Sequence, residues 1–196
     1  MIVAGRVLAI PQANIDTDQM YPGKYLTLIT RKGLGKYLFE GFPSGRDQLD
    51  ANMGATILVA GENIGCGSSR EHAVWALADW GIRAVVAPSF ARIFHENCYA
   101  NGVVPVELRD RAAFEECLMA GALEINVDNQ IVRSGGREIA RFELDPLRKD
   151  FIVHGGFLEY LATKVDKVRE WRSLSSRAES RESDNVSGRQ HVAKAP

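Results

Sequence analysis

The sequence predicts a mixed α/β fold whose sheet is parallel in one part and antiparallel in another, and two patterns carry that prediction. Between residues 55 and 106, short apolar, β-branched runs alternate with helical spacing, the order of consecutive βαβ units with right-handed crossovers. Between residues 123 and 144, short runs broken by the turn residues Asp128-Asn129 read as an antiparallel patch. A length of 196 residues with 45% hydrophobic side chains suffices for one well-cored domain. Residues 1–171 are expected to form it. Residues 172–196, rich in Ser and Arg and almost free of apolar side chains, are expected to be a disordered tail.

In chain order, residues 2–10 alternate apolar side chains and form an opening strand ended by Pro11. The polar cluster Asn14-Ile15-Asp16-Thr17-Asp18-Gln19 follows, and on composition alone its Asp and Thr side chains cap a helix beginning near Pro22. Residues 25–30 and 33–39 are short helical or loop pieces. Residues 42–52, with Pro43, Ser44, Gly45 and several charges, read as an exposed excursion. Residues 55–60 have the length and branching of a buried strand, residues 73–80 the spacing of a helix, and residues 82–87 form a second buried strand closed by Pro88. Ser89 is a cap candidate for a helix over 90–100 that stops at Asn101-Gly102. Residues 103–106 are a third strand, which Pro105 places at an edge or strand end. A helix over 110–120 precedes the antiparallel patch, and a last helical region runs from Gly155 toward Trp171.

Charge and cysteine content narrow the function. A formal net charge of -1, with no basic block interleaved with aromatics, argues against nucleic acid as a partner. No charged segment followed by an apolar one starts at Met1, and no apolar run is long enough to span a membrane, so a cytoplasmic protein is expected. Three cysteines, Cys66, Cys98 and Cys117, without CxxC spacing, suit neither a disulfide framework nor a self-contained metal or iron-sulfur site. No metal site is expected in this chain.

The chemistry concentrates in Gly61-Glu62-Asn63-Ile64-Gly65-Cys66-Gly67-Ser68-Ser69-Arg70-Glu71-His72, which runs from the end of one predicted strand into a predicted helix. Gly65 and Gly67 permit a sharp turn, and a helix start offers unpaired N–H groups and a positive dipole end, so the stretch suits an anion. It lacks the Gly-Lys-Ser/Thr of a phosphate-binding loop, has Arg70 where a dinucleotide fingerprint needs glycine, and does not flank either serine as a nucleophile elbow would. Cys66 reads as an activated thiol or, with more weight, as a small residue filling the turn. His72, four residues after Ser68, reads either as a neighbour orienting that serine or as a satisfied buried histidine. His95 and Cys98, three apart, read as a core pair, and Trp75 and Trp80 as packing of the helix on the sheet.

At Gly65-Cys66-Gly67-Ser68-Ser69-Arg70-Glu71-His72-Ala73-Val74-Trp75-Ala76-Leu77 the sequence resembles the small-subunit family of 3-isopropylmalate dehydratases, which is similar to the swivelling C-terminal domain of aconitase. The blocks Asn14 to Gln19, Tyr25-Leu26, Ala87-Pro88-Ser89-Phe90-Ala91-Arg92-Ile93-Phe94 and Asn101-Gly102-Val103-Val104-Pro105-Val106 resemble it in the same order, so the likeness spans residues 2–165. It implies a β/β/α swivelling-domain fold and a large aconitase-like subunit carrying a [4Fe-4S] cluster. The implied reaction is dehydration and rehydration of a small hydroxy-dicarboxylic acid in leucine biosynthesis. By the motif, Ser68 is the base, Ser69 and Arg70 bind carboxylate, Thr17 and Asp18 lie in the family's polar active-site block, and Gly65, Gly67, Glu71 and His72 support them. Relatives acting on tricarboxylates hold the third carboxylate with an arginine, whereas here the loop Pro22 to Thr30 has no Arg before Arg31. Leu26 and Leu28 are therefore expected to meet a branched alkyl group. Related dehydratases for 2-methylmalate, dimethylmalate or homocitrate-type acids, and a non-catalytic anion-binding module, are the competing readings.

Overall fold

The computed structural model describes residues 1–172. Its strands are β1 (Ile2–Ile10), β2 (Ile57–Ala60), β3 (Ala84–Ala87), β4 (Val104–Glu107), β5 (Ala122–Asn126), β6 (Ile131–Ser134) and β7 (Arg137–Arg141). They form one sheet in the order β4-β3-β2-β1-β5-β6-β7. The opening strand joins the two predicted halves. Ile2–Arg6 pair antiparallel with β5, and Val7–Ile10 pair parallel with β2. The parallel set β1 to β4 and the antiparallel set β5 to β7 are thus one layer, with β4 and its Pro105 at the edge where a missing N–H is tolerated.

The helices are α1 (Thr17–Met20), α2 (Pro43–Ala51), α3 (Glu71–Trp80), α4 (Arg92–Ala100), α5 (Arg111–Met119), α6 (Pro146–His154) and α7 (Phe157–Ala162). One face of the sheet presents Leu8, Ile10, Leu58, Ala60, Val85 and Ala87 to a core shared with α3, α4 and the segment 20–49. The other face presents Val7, Ile57, Val59, Val86 and Val106 to a second core with Cys117 and Ile152. Burial on both faces explains why β2 and β3 are continuous apolar runs and not alternating ones.

Several local expectations need correction. Residues 42–52 are not an exposed excursion. Pro43 occupies the first turn of α2, Leu49 is fully buried, and Arg46 bonds Asp50 one turn on and the Lys36 carbonyl. No helix begins at Pro22. The polar cluster caps the four-residue α1, and single 3-10 turns follow at Gly23–Tyr25 and Gly35–Tyr37. Ser89 caps nothing: α4 starts at Arg92, and the Ser89 hydroxyl accepts from the Asn63 N–H at 2.8 Å. α6, capped by Asp145, had no counterpart in the sequence pattern.

Met1–Phe157 is one compact unit and a second begins at Leu158. In the second, residues 165–172 are again helical. The expected tail, from residue 173 on, lies outside the described residues. Among the described residues, no helix is long and apolar enough to cross a membrane.

Candidate active site

The parallel strands end at one edge of the sheet, and the loops leaving them are tied to one another. Asn14 N–H donates to the Glu62 carbonyl at 2.9 Å, Gly65 N–H to Ile15 at 2.8 Å, and Thr17 N–H to Cys66 at 2.9 Å. The loop after β2 then pairs on its other side with that after β3, through Ile64 and Phe90. Asn63 Nδ2 adds a 2.8 Å bond to Asn14 Oδ1. The Gly-rich loop is in effect a short extension of the sheet, held from both sides. Two positions require glycine. Gly65 has φ +77°, and a Cβ there would lie 2.1 Å from the Phe94 ring; Gly67 has φ +85° beside Asp16.

This framework lifts Ser68 and Ser69 out of the fold. Both are exposed, and neither hydroxyl has a hydrogen-bond partner among the described residues. The Ser68 carbonyl accepts from the Thr17 hydroxyl at 2.9 Å, and Thr17 is buried. Thr17 therefore supports the loop from below. Ser68 is not an N-cap. α3 begins at Glu71, the capping position is Arg70, and no side chain caps the helix. Its first N–H groups and positive dipole end face the same loop as the two free hydroxyls.

Arg70 is held by Asp18. One guanidinium nitrogen donates to Asp18 Oδ1, and the same oxygen accepts from Gly23 N–H at 3.2 Å. With Asp18 more than half exposed, such a pair contributes little to stability, roughly 0.2–1 kcal/mol, so its consequence is orientation. The remaining guanidinium donors have no partner among the described residues. Asp18 does not cap. Asp16 does, accepting from Gln19 N–H at 2.7 Å, while Gln19 Oε1 accepts from Asp16 N–H at 2.9 Å. That reciprocal box was legible as Asp-x-x-Gln.

His72 turns away from the serines. Its Nε2 lies 3.2 Å from the Leu28 carbonyl, and its ring stacks on Tyr21 and tilts against Trp75. Glu71 accepts from Asn101 Nδ2 at 2.9 Å, and Asn101 also accepts from Trp75 Nε1. The sequence offered no sign of these partners, because they sit tens of residues away. Leu26 and Leu28 are half-buried and pack on the core, whereas Thr27 between them is exposed. Arg31 lies 5.0 Å over the Trp75 ring and 4.0 Å from Glu71. Cys66 bonds the Asn14 carbonyl, and burial and the Asp16 charge both push its thiol up, against an activated nucleophile.

Fold and site together define a class: an α/β domain that presents two free hydroxyls, an anchored arginine and an uncapped helix start along one loop. Residues 2–111 match the family model of the aconitase C-terminal domain. The chain belongs to that family. It is 42% identical to the 3-isopropylmalate dehydratase small subunit of Anoxybacillus flavithermus, a match covering 77% of this chain and 84% of that one. It is 40% identical to the small subunit from Rhodospirillum rubrum, covering 89% and 93%. The crystal structure of 3-isopropylmalate dehydratase from Methanocaldococcus jannaschii matches with a TM-score of 0.71 at 31% identity, over 87% of this chain and 99% of that one.

Proposed function

We propose that this chain is the small subunit of a heteromeric hydro-lyase that isomerises 2-isopropylmalate to 3-isopropylmalate by dehydration and rehydration, in leucine biosynthesis. The observation that carries the reading is the unpartnered Ser68 hydroxyl beside an Arg70 whose guanidinium is aimed by Asp18, in a chain about 40% identical to small subunits of that enzyme. A proton next to a carboxylate is a very weak acid. Its removal needs a strong base and fixed positive groups where negative charge develops. Ser68, lacking an internal partner, takes the proton. The helix start of α3 and the Arg70 guanidinium favour the alkoxide form, and Arg70 with Ser69 holds the carboxylate by paired donors.

The chain's own cysteines do not fit an iron-sulfur cluster. Cys98 and Cys117 are buried in different helices, and burial pushes both thiols up, Cys117 to about 12. Among the described residues no group of three or more His, Cys, Asp or Glu is placed to hold a metal. The family likeness implies a cluster on a large subunit, where it would act at the substrate hydroxyl. The purified chain is expected to show no turnover of 2-isopropylmalate. Adding the large subunit with its cluster intact restores turnover; activity of the small chain alone would refute the split site.

Substrate choice is assigned to the loop after α1. Arg31, its one arginine, lies over Trp75 and 4.0 Å from Glu71, and Lys24 pairs with Glu40, so neither of these cations is free for a third carboxylate. Leu26 and Leu28 contribute an apolar floor through their packing, and the exposed position between them is Thr27. Thr27→Arg in the assembled enzyme is expected to raise KM for 2-isopropylmalate about tenfold and to improve the use of an analogue bearing a carboxylate in place of the isopropyl group. Unchanged preference between the two acids would remove the loop from specificity.

A further inference from the structure

We infer that His72 is a positioning residue: its hydrogen bond to the Leu28 carbonyl sets residues 26–31 in register with Ser68-Ser69-Arg70. The inference rests on the function proposed above and adds the element that couples its two halves, the hydroxyl-arginine loop and the alkyl-recognition loop.

The segment 22–31 is held at its start by the Tyr21 hydroxyl on the Tyr25 carbonyl and by Glu40, which accepts from Lys24 and the Tyr25 hydroxyl. Three further contacts end on the helix of the motif or on the residue that orients its arginine. Gly23 N–H meets Asp18 Oδ1, the oxygen that also holds Arg70. The Leu28 carbonyl meets His72 Nε2 at 3.2 Å. Arg31 lies over Trp75 and 4.0 Å from Glu71. Glu71, His72 and Trp75 belong to the first turns of α3, the helix whose capping position is Arg70, so the loop is mounted on the element that directly follows the arginine. A carbonyl only accepts, so Nε2 carries the proton. The imidazole cannot easily swing away, because it is stacked at 5.8 Å on Tyr21 and lies 4.6 Å from Trp75.

The weight falls on His72 because residues 26–31 have little else to hold their backbone. Leu26 and Leu28 N–H groups bond only to Gly23 and Tyr25 within the same turn. Among the described residues, the Leu28 carbonyl makes the one hydrogen bond between the backbone of 26–31 and an element outside the segment. Core packing of Leu26 and Leu28 sets how deep the loop sits, but apolar contacts are not directional and leave its register free. Ile29, directly after the anchored carbonyl, is 92% exposed, so loss of the anchor meets no packing that would restore the register.

His72→Phe keeps a ring between Tyr21 and Trp75 and removes the donor, whereas His72→Gln keeps a donor of similar reach. In the complex with the large subunit, His72→Phe is expected to raise KM for 2-isopropylmalate about five- to tenfold with kcat within about twofold, the scale of one lost hydrogen bond. Trypsin should cut the full-length variant faster after Arg31 and Lys32, and His72→Gln should recover most of both properties. Unchanged KM, unchanged cleavage, a loss confined to kcat, or His72→Gln as impaired as His72→Phe overturns the inference. A wild-type complex that ignores 2-isopropylmalate overturns the reading beneath it, and this inference with it.

Discussion

Ser68→Ala is expected to lower kcat of the assembled enzyme on 2-isopropylmalate by about 10²–10⁴-fold while leaving KM within a few-fold. The size is that of a general base removed from a proton transfer, about 3–5 kcal/mol of barrier. The split between kcat and KM follows from the geometry. The Ser68 hydroxyl makes no bond within the fold, and the loop is held by the Ser68 carbonyl, which alanine keeps. The variant should therefore fold, pair with the large subunit and bind substrate through Arg70. Thermal unfolding of the small subunit within a degree or two of wild type would confirm that the backbone is intact. Near wild-type turnover in such a complex would remove Ser68 from the chemistry.

The second large effect is expected from Arg70→Lys, which keeps the charge and loses the fork. The guanidinium gives one nitrogen to Asp18, and its other donors have no partner among the described residues, so it can stay anchored while binding a carboxylate. An ammonium is a single point of charge on a flexible stem. Drawn to Asp18, it has nothing directed left for the substrate. kcat/KM should fall about 10²-fold, mostly through KM, with the fold unaffected because the exposed pair contributes little stability. Steady-state kinetics on the complex, beside an Asp18→Asn variant that releases the arginine, checks this. The aspartate variant should lose less, since it frees the guanidinium without removing it. If lysine supports wild-type KM, carboxylate binding does not run through Arg70.

Both predictions join residues far apart in the chain, Thr17 to Ser68 at 51 positions and Asp18 to Arg70 at 52, and this marks where sequence reasoning stops. The motif from Gly61 to His72 was legible as a turn and helix start because glycines and helical spacing act over a few residues. The family likeness added roles for Ser68, Ser69 and Arg70. It did not reveal that Asp16 is the cap and Asp18 the anchor. The Asp16-x-x-Gln19 spacing allows a cap at Asp16, but only the position of Arg70 makes Asp18 its anchor. Of the two readings of His72, spacing of four puts it on the face below Ser68, yet its hydrogen bond is to Leu28 across the fold, as for a satisfied histidine. The segment 42–52 was misread because its polar surface hides one decisive burial, that of Leu49.

By itself the sequence determined the alternation of buried strands and helices, the sharp turn at Gly65 and Gly67, and the edge placement of β4, since each follows from backbone sterics or short-range apolar period. The tertiary structure decided that β1 joins the parallel and antiparallel halves, that the loops after β1, β2 and β3 zip into one platform, and that residues 22–31 are tied to the helix that follows Arg70. These are pairings between distant segments. They are settled only when hydrogen bonds that no local element can satisfy find partners in a packed fold.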